Sequence, residues 1–143
     1  MSQPDIFPYA SFTTSQAGNL VTYNLERRMS VENTQEVATA TIAANAALSG
    51  AVYCGGLRPN ALQTPSSWTT TTALTFQSSA DGTTWANVYD AAGNEYTVTC
   101  STSRYILLDS AAFKTTRFLK IRTGTSSAAV VQSSGAAILV IMN

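Results

Sequence analysis

At 143 residues the chain is long enough for one domain with a sizeable core and too short for several. Eight basic residues balance eight acidic ones, with no dense basic cluster, which argues against nucleic acid as a partner. Histidine is absent, which excludes the usual Ser-His-Asp and Cys-His nucleophile pairs and every His-based zinc site.

Charged residues are only 11% of the chain, against a usual ~25%. Ser and Thr, about a quarter of the residues, take their place. Thr suits exposed strand faces and Ser suits turns, so an all-β protein is expected. Near-zero net charge weakens repulsion between copies, and neutral hydroxyls desolvate more readily than Lys or Glu. Both features favour an assembled, homo-oligomeric state. No stretch approaches the ~18 apolar residues of a membrane-spanning helix, so no membrane association is expected. Met-Ser-Gln-Pro-Asp has neither the basic start nor the apolar run of a secretory signal, which predicts synthesis in a cytoplasm.

Residues 1–35 read as an arm and residues 36–143 as the folded domain. The first part of the arm carries two prolines and scattered aromatics (Phe7, Tyr9, Phe12) without a sustained period. Arg27-Arg28 follows, flanked by Glu26, Glu32 and Glu36. Aromatics are rare in disordered segments. Phe7, Tyr9, Phe12, Arg27 and Arg28 are therefore candidate partner-binding residues of an extended segment that packs on the domain or on a neighbouring subunit.

Alternation begins at Val37 and runs to Ile42, with Val37, Thr39 and Thr41 on one side. A turn closed by Ser49-Gly50 leads to a strand over Ala51–Cys54. Pro59 interrupts the next run, which fits an edge strand or a bulge. Thr64-Pro65-Ser66-Ser67 is a loop, and Trp68 opens a Thr-rich run into a hairpin. In that hairpin Leu74 and Phe76 alternate with Thr75 and Gln77, and Ser78–Thr83 supply the turn. Gly82 takes the positive φ there. The returning strand places Trp85, Val88 and Tyr89 near the apolar face of the first.

Asp90–Asn94 is a second turn, and Tyr96, Val98 and Cys100 share one strand face. Arg104–Leu108 reads as a short strand, and Asp109–Phe113 as one helical turn capped by Asp109. Leu119 and Ile121 alternate with Lys120 and Arg122, which places the two cations on a solvent face. Ala136–Met142 is nearly continuously apolar, the pattern of a strand covered on both faces. Its missing polar face calls for cover by the arm or a neighbouring subunit. About nine short strands at 8–12-residue spacing predict an antiparallel sandwich. Cys54 and Cys100 are too few for a disulfide framework and are expected free and buried.

Catalytic chemistry finds little support. Asp81, Asp90, Glu95 and Asp109 are the acids available for a glycosidase pair or a calcium site, but three sit where turns and caps need acids anyway. No phosphate-binding glycine loop appears, and no cofactor is expected. Trp68, Trp85, Tyr53, Tyr89 and Tyr105 are the aromatics available for stacking on a sugar. Trp68, in a Pro/Ser/Thr loop, is the better candidate for exposure and for glycan binding, with burial in the core or an interface as the reading preferred over it.

The hairpin Ser79-x-Asp81-Gly82-x-x-Trp85 resembles one found in discoidin-like, galactose-binding-like sandwiches. The strand Thr116-Arg117-Phe118-Leu119-Lys120-Ile121-Arg122 is similar to a late strand of those domains. That resemblance implies a jelly-roll fold and a Trp85 buried in the core. The wider set is similar to small virion proteins of tailed bacteriophages and related gene-transfer particles. It comprises Leu57-Arg58-Pro59-Asn60, Trp68-Thr69, the hairpin, Tyr89-Asp90-x-x-Gly93, Tyr105-Ile106-x-Leu108-Asp109 and Arg117–Arg122 followed by Gly124-Thr125-Ser126. It implies a non-enzymatic virion protein, a head decoration or spike base, whose partners are the major capsid protein or other virion proteins. The alternative is a carbohydrate-binding adhesin of a phage tail or spike.

Overall fold

A computed structural model describes residues 35–69, 73–109 and 111–143. The arm candidates Phe7, Tyr9, Phe12, Arg27 and Arg28 lie outside the described residues. In chain order the strands are β1 (Glu36–Ile42), β2 (Val52–Tyr53), β3 (Pro59–Gln63), β4 (Ala73–Ser79), β5 (Ala86–Asn87), β6 (Val98–Thr99), β7 (Tyr105–Leu107), β8 (Phe118–Thr123) and β9 (Ala136–Met142). They form two antiparallel sheets. One runs β1-β9-β3-β7; the other runs β2-β8-β4-β5, with β6 also paired to β4. The fold is an all-β sandwich, and the described residues contain no helix.

Alternation decides which side chains meet between the sheets. Ala40 and Ile42 of β1, Leu62 of β3, and Ile138, Val140 and Met142 of β9 face inward from the first sheet. Leu74 and Phe76 of β4 and Leu119 and Ile121 of β8 meet them from the second. Three rings anchor one end of the core. Phe76 lies edge-on to Phe113 at 5.0 Å, and Tyr96 is 5.4 Å from Phe113 and 5.8 Å from Phe76. Such aromatic pairs add roughly 0.5–1.5 kcal/mol each beyond the area they bury.

The hairpin follows its sequence grammar. Gln77 pairs with Asn87 and Ser78 with Ala86. Ser79 Oγ accepts from the N–H of Gly82 at 2.8 Å, and Asp81 Oδ1 accepts from the N–H groups of Thr83 and Thr84, both at 2.8 Å. Gly82 adopts φ +82°, and the Phe118 ring lies 3.3 Å from where a Cβ would stand. Pro59 sits at the start of β3, where the register with β9 slips, so it marks a bulge on an internal strand.

Three expectations are corrected. Trp85 is half-buried rather than core, because it shares the parity of Asn87 and therefore lies on the outer side of the sheet. There Lys120 Nζ sits 4.4 Å from its ring centroid. Arg122 does not face solvent: it is buried, under the chain segments that follow β5 and β8. Asp109 caps the chain that follows, as expected, but residues 111–115 are turn and not helix. Asp109 Oδ1 accepts from the Ala111 N–H at 3.0 Å, and the Ala112 N–H reaches the Asp109 carbonyl at 3.0 Å.

Cys54 and Cys100 are both buried, and neither is in a disulfide. Desolvation pushes both thiols up, that of Cys100 to about 11, so neither is poised as a nucleophile near neutral pH.

Candidate interaction surfaces

Trp68 does not present a sugar platform. It is buried among the core residues at 8% exposure. The chain beside it is held by Gln132, which is fully buried and bonds the Thr69 backbone through both ends of its amide. Thr69 Oγ1 also accepts from the Ser133 N–H at 3.1 Å. A Pro/Ser/Thr composition marks a loop, but this loop is pinned inward. The indole Nε1 has no hydrogen-bond partner among the described residues. Leaving a buried N–H unpaired costs about 1–3 kcal/mol, so the ring stays in because its apolar area outweighs that loss.

The candidate acids hold backbone and a buried cation. Asp81 caps its turn as described, and those N–H donors together with the Ser79 hydroxyl hold its carboxyl well below the usual range. Asp90 Oδ1 accepts from Ala92 and Asn94, both at 2.9 Å. Glu95 Oε2 pairs with Arg122 Nη1 at 3.4 Å, and both carboxylate oxygens are 3.2 Å from the Ser126 N–H. No group of three potential metal ligands comes together among the described residues.

The two sheets present different outer faces. On the five-stranded sheet Arg122 is fixed by Glu95, by Asn87 Oδ1 at 2.9 Å and by Thr75 Oγ1 at 3.3 Å, so its charge is internally answered. Near β2 the same face carries Tyr53, 64% exposed, whose ring lies 5.0 Å from that of Phe118. The four-stranded sheet is uncharged in its centre. Register places Val37, Ile141, Ala61 and Leu107 in one row across all its strands, and Thr39, Leu139, Gln63 and Tyr105 in the next. Ile141 and Ala61 are buried mid-row, whereas the ends are open, with Val37 59% and Leu107 79% exposed. The apolar run in β9 is thus covered on its inner face and partly on its outer one.

Among the described residues β7 is an end strand of its sheet. The Leu108 N–H donates to the Asn60 carbonyl at 2.8 Å, and the Arg104 carbonyl accepts from the Thr64 N–H at 2.9 Å. Even-numbered residues therefore bond toward β3, and the N–H and C=O of Tyr105 and Leu107 point to the free side. Both side chains are more than half exposed. A cleft of about 390 Å³ borders the strand, lined by Thr99, Cys100, Ser101, Arg104, Tyr105 and Ile106. The sequence offered Tyr105 only as a stacking ring; that its strand ends a sheet depends on the pairing order, which local pattern does not encode.

No known protein family matches this sequence, no curated protein does, and no solved structure resembles the fold at a significant level.

Proposed function

We propose that the protein is a non-enzymatic virion component, associated with the capsid as a decoration or spike-base protein and acting through repeated protein–protein contacts. The observation that carries the contact role is the four-stranded sheet. Its centre is uncharged, its row ends Val37 and Leu107 are open, and its end strand turns the backbone groups of Tyr105 and Leu107 away from β3. Such a face is desolvated at little cost, whereas a charged one is not. The acids that an enzyme would need are committed to turns and to Arg122, which favours a structural role further. The capsid context and the galactose-binding-like jelly roll rest on the sequence resemblance, with the Ser79–Trp85 hairpin at its centre. Individually weak contacts suffice on a repeating shell because each bound copy raises the effective concentration of the next site.

The test is co-sedimentation of the full chain with shells of a tailed phage that encodes it, followed by cryo-electron microscopy of decorated particles. Ordered density at lattice positions supports the reading. Protein left in the supernatant, with bare shells, sinks it.

A second reading, a glycan-binding adhesin, moves from Trp68 to Tyr53. That ring is open and backed by Phe118, as a stacking platform requires. Binding of host surface polysaccharide that is lost in Tyr53→Ala, with the melting temperature kept, would favour it over the structural reading.

A further inference from the structure

We infer that the cleft between β7 and residues 99–101 binds a small carboxylate, free or carried on a sugar ring, with Arg104 as its anchor. The inference goes beyond the contact role and does not depend on it. The site is also separate from the Tyr53 ring, which stands on the other sheet.

The argument begins with position. Thr99 ends β6, which belongs to the five-stranded sheet, whereas Tyr105 and Ile106 belong to β7 of the four-stranded one. The cleft is therefore walled by both sheets at one margin of the sandwich. No residue of β3 lines it, so it opens on the side of β7 that β3 leaves free. Its volume of about 390 Å³ falls within the ~300–1,000 Å³ typical of small-ligand sites. Cys100 is buried and Ile106 half-buried, so the least accessible part of the lining is apolar. Such a base receives the carbon body of a ligand whose charged end lies at the mouth.

Charge selects the ligand. Among the described residues Arg104 alone brings a charge to the cleft, and no acid lines it. Arg104 makes no ion pair among those residues, and its hydrogen bonds there run through its backbone. The Cys100 thiol, pushed up to about 11 by desolvation, stays neutral and opposes no anion. A carboxylate in the cleft thus meets a cation and no charge of its own sign. The planar guanidinium matches its two oxygens with two parallel N–H groups. One guanidinium answers one negative charge, which suits a carboxylate better than a phosphate carrying nearly two. Thr99 and Ser101, both exposed, offer hydroxyls to the hydroxyls of a sugar acid.

The turn that carries Arg104 is fixed in advance. Buried Thr64 donates its hydroxyl to the Ser101 carbonyl at 2.6 Å and accepts from the Arg104 N–H at 2.8 Å. The Ser103 N–H donates to the Pro65 carbonyl at 3.1 Å, and Ser103 holds φ +54°, uncommon outside glycine. One buried side chain therefore ties both ends of the 101–104 turn to β3. A backbone held in this way loses little freedom when a ligand arrives.

The test titrates sodium D-glucuronate into the nitrogen-15-labelled full chain, followed by heteronuclear NMR, with sodium acetate, D-glucose and sodium phosphate as separate arms. A ligand of this size is expected to bind with a dissociation constant on the order of 1 mM. Amide shifts should concentrate at residues 99–101 and 104–106, together with the Arg104 side-chain N–H. Arg104→Gln should weaken binding roughly tenfold or more, and Arg104→Lys, which keeps the charge without the fork, should fall between. Far-UV circular dichroism checks that each variant is folded. Glucuronate held more tightly than acetate supports a sugar acid, and equal binding supports a free carboxylate; both sustain the site. Glucose bound as well as glucuronate overturns the inference, as does phosphate bound more tightly than either acid. Shifts as large at the exposed cations Lys114 and Arg117 as in the cleft mean unspecific attraction and overturn it too. So does binding indifferent to Arg104→Gln, or the lack of any shift at ~20 mM glucuronate.

Discussion

Gln132 closes on the backbone of Thr69 as another strand would: its Oε1 accepts from the Thr69 N–H at 2.8 Å, and its Nε2 donates to the Thr69 carbonyl at 3.2 Å. A fully buried amide with both ends used is inexpensive to bury, and it fixes the entry of Trp68 into the core. Gln132→Ala strands both backbone groups and opens a void, so a loss of about 2–4 kcal/mol is expected. Urea unfolding followed by circular dichroism measures it. Red-shifted tryptophan emission in the native baseline would show Trp68 loosening. Gln132→Glu should be worse, because its second oxygen would oppose the Thr69 carbonyl with a charge attached.

The ion pair of Arg122 and Glu95 gives an asymmetric expectation. Side-chain exposures of 10% and 15% make it a shielded pair, and Arg122 keeps Asn87 and Thr75 as further acceptors. Glu95→Ala leaves the guanidinium with only neutral partners and frees the Ser126 N–H, so a loss of about 1–3 kcal/mol follows. Arg122→Met combined with Glu95→Gln removes both charges while keeping volume and should be less destabilising than Glu95→Ala. A thermal-melt comparison of the two variants decides it. The outcome to watch is the order of the two, because it distinguishes an unanswered charge from lost packing.

The sequence makes the hairpin legible because its turn is local: Ser79, Asp81 and Gly82 perform their roles within a few residues of one another. It makes the sandwich legible because strand periodicity survives without knowledge of pairing. It misplaces Arg122 because Glu95, distant in the chain, lies over β8, and Trp85 because the register of β5 on β4 sets it on the outward parity of Asn87. Trp68 stays open between loop and core in the sequence because Gln132, far along the chain, is what pins Thr69. Lys120 and Arg122 have the same spacing as any solvent-facing pair, and only the chain folded over Arg122 separates them. The contact surface is half legible. Alternation assigns Tyr105 and Leu107 to one face, whereas the end position of β7 emerges from the order β1-β9-β3-β7.

Asp81 predicts an acid limb of stability. Hydrogen bonds from Thr84, Thr83 and Ser79 favour the carboxylate and depress its pKa below the ordinary 3.8. A depressed folded value means the native state holds fewer protons than the unfolded chain at mildly acid pH, so the contribution is complete above the unfolded value. It declines as pH falls below about 4 and through the lower folded value. The melting temperature of Asp81→Ala should therefore lie below that of the parent at pH 6, with the gap narrowing toward pH 2. A gap constant across that range would mean that the turn is held by geometry and not by the charged form.

Gly124 and Gly56 form a matched pair for separating backbone strain from collision. Both have positive φ, +89° and +86°. At Gly56 a Cβ meets nothing within 4 Å, so alanine there should cost only the conformational penalty, about 1–2 kcal/mol. At Gly124 the added carbon would stand 2.4 Å from the Ala128 carbonyl oxygen and 2.7 Å from the Val130 nitrogen. Those are backbone atoms that no rotamer change can move. Gly124 also donates its N–H to Ala73 and accepts from Thr75 Oγ1, both at 2.8 Å, so displacing it disturbs the start of β4. Gly124→Ala should thus be more destabilising than Gly56→Ala by at least ~2 kcal/mol, on the scale of overpacking against atoms that cannot relax. Equilibrium unfolding of the two variants side by side reads the difference. Equal losses would show that the loop over residues 125–130 yields to the added carbon, leaving positive φ as the whole penalty at both sites.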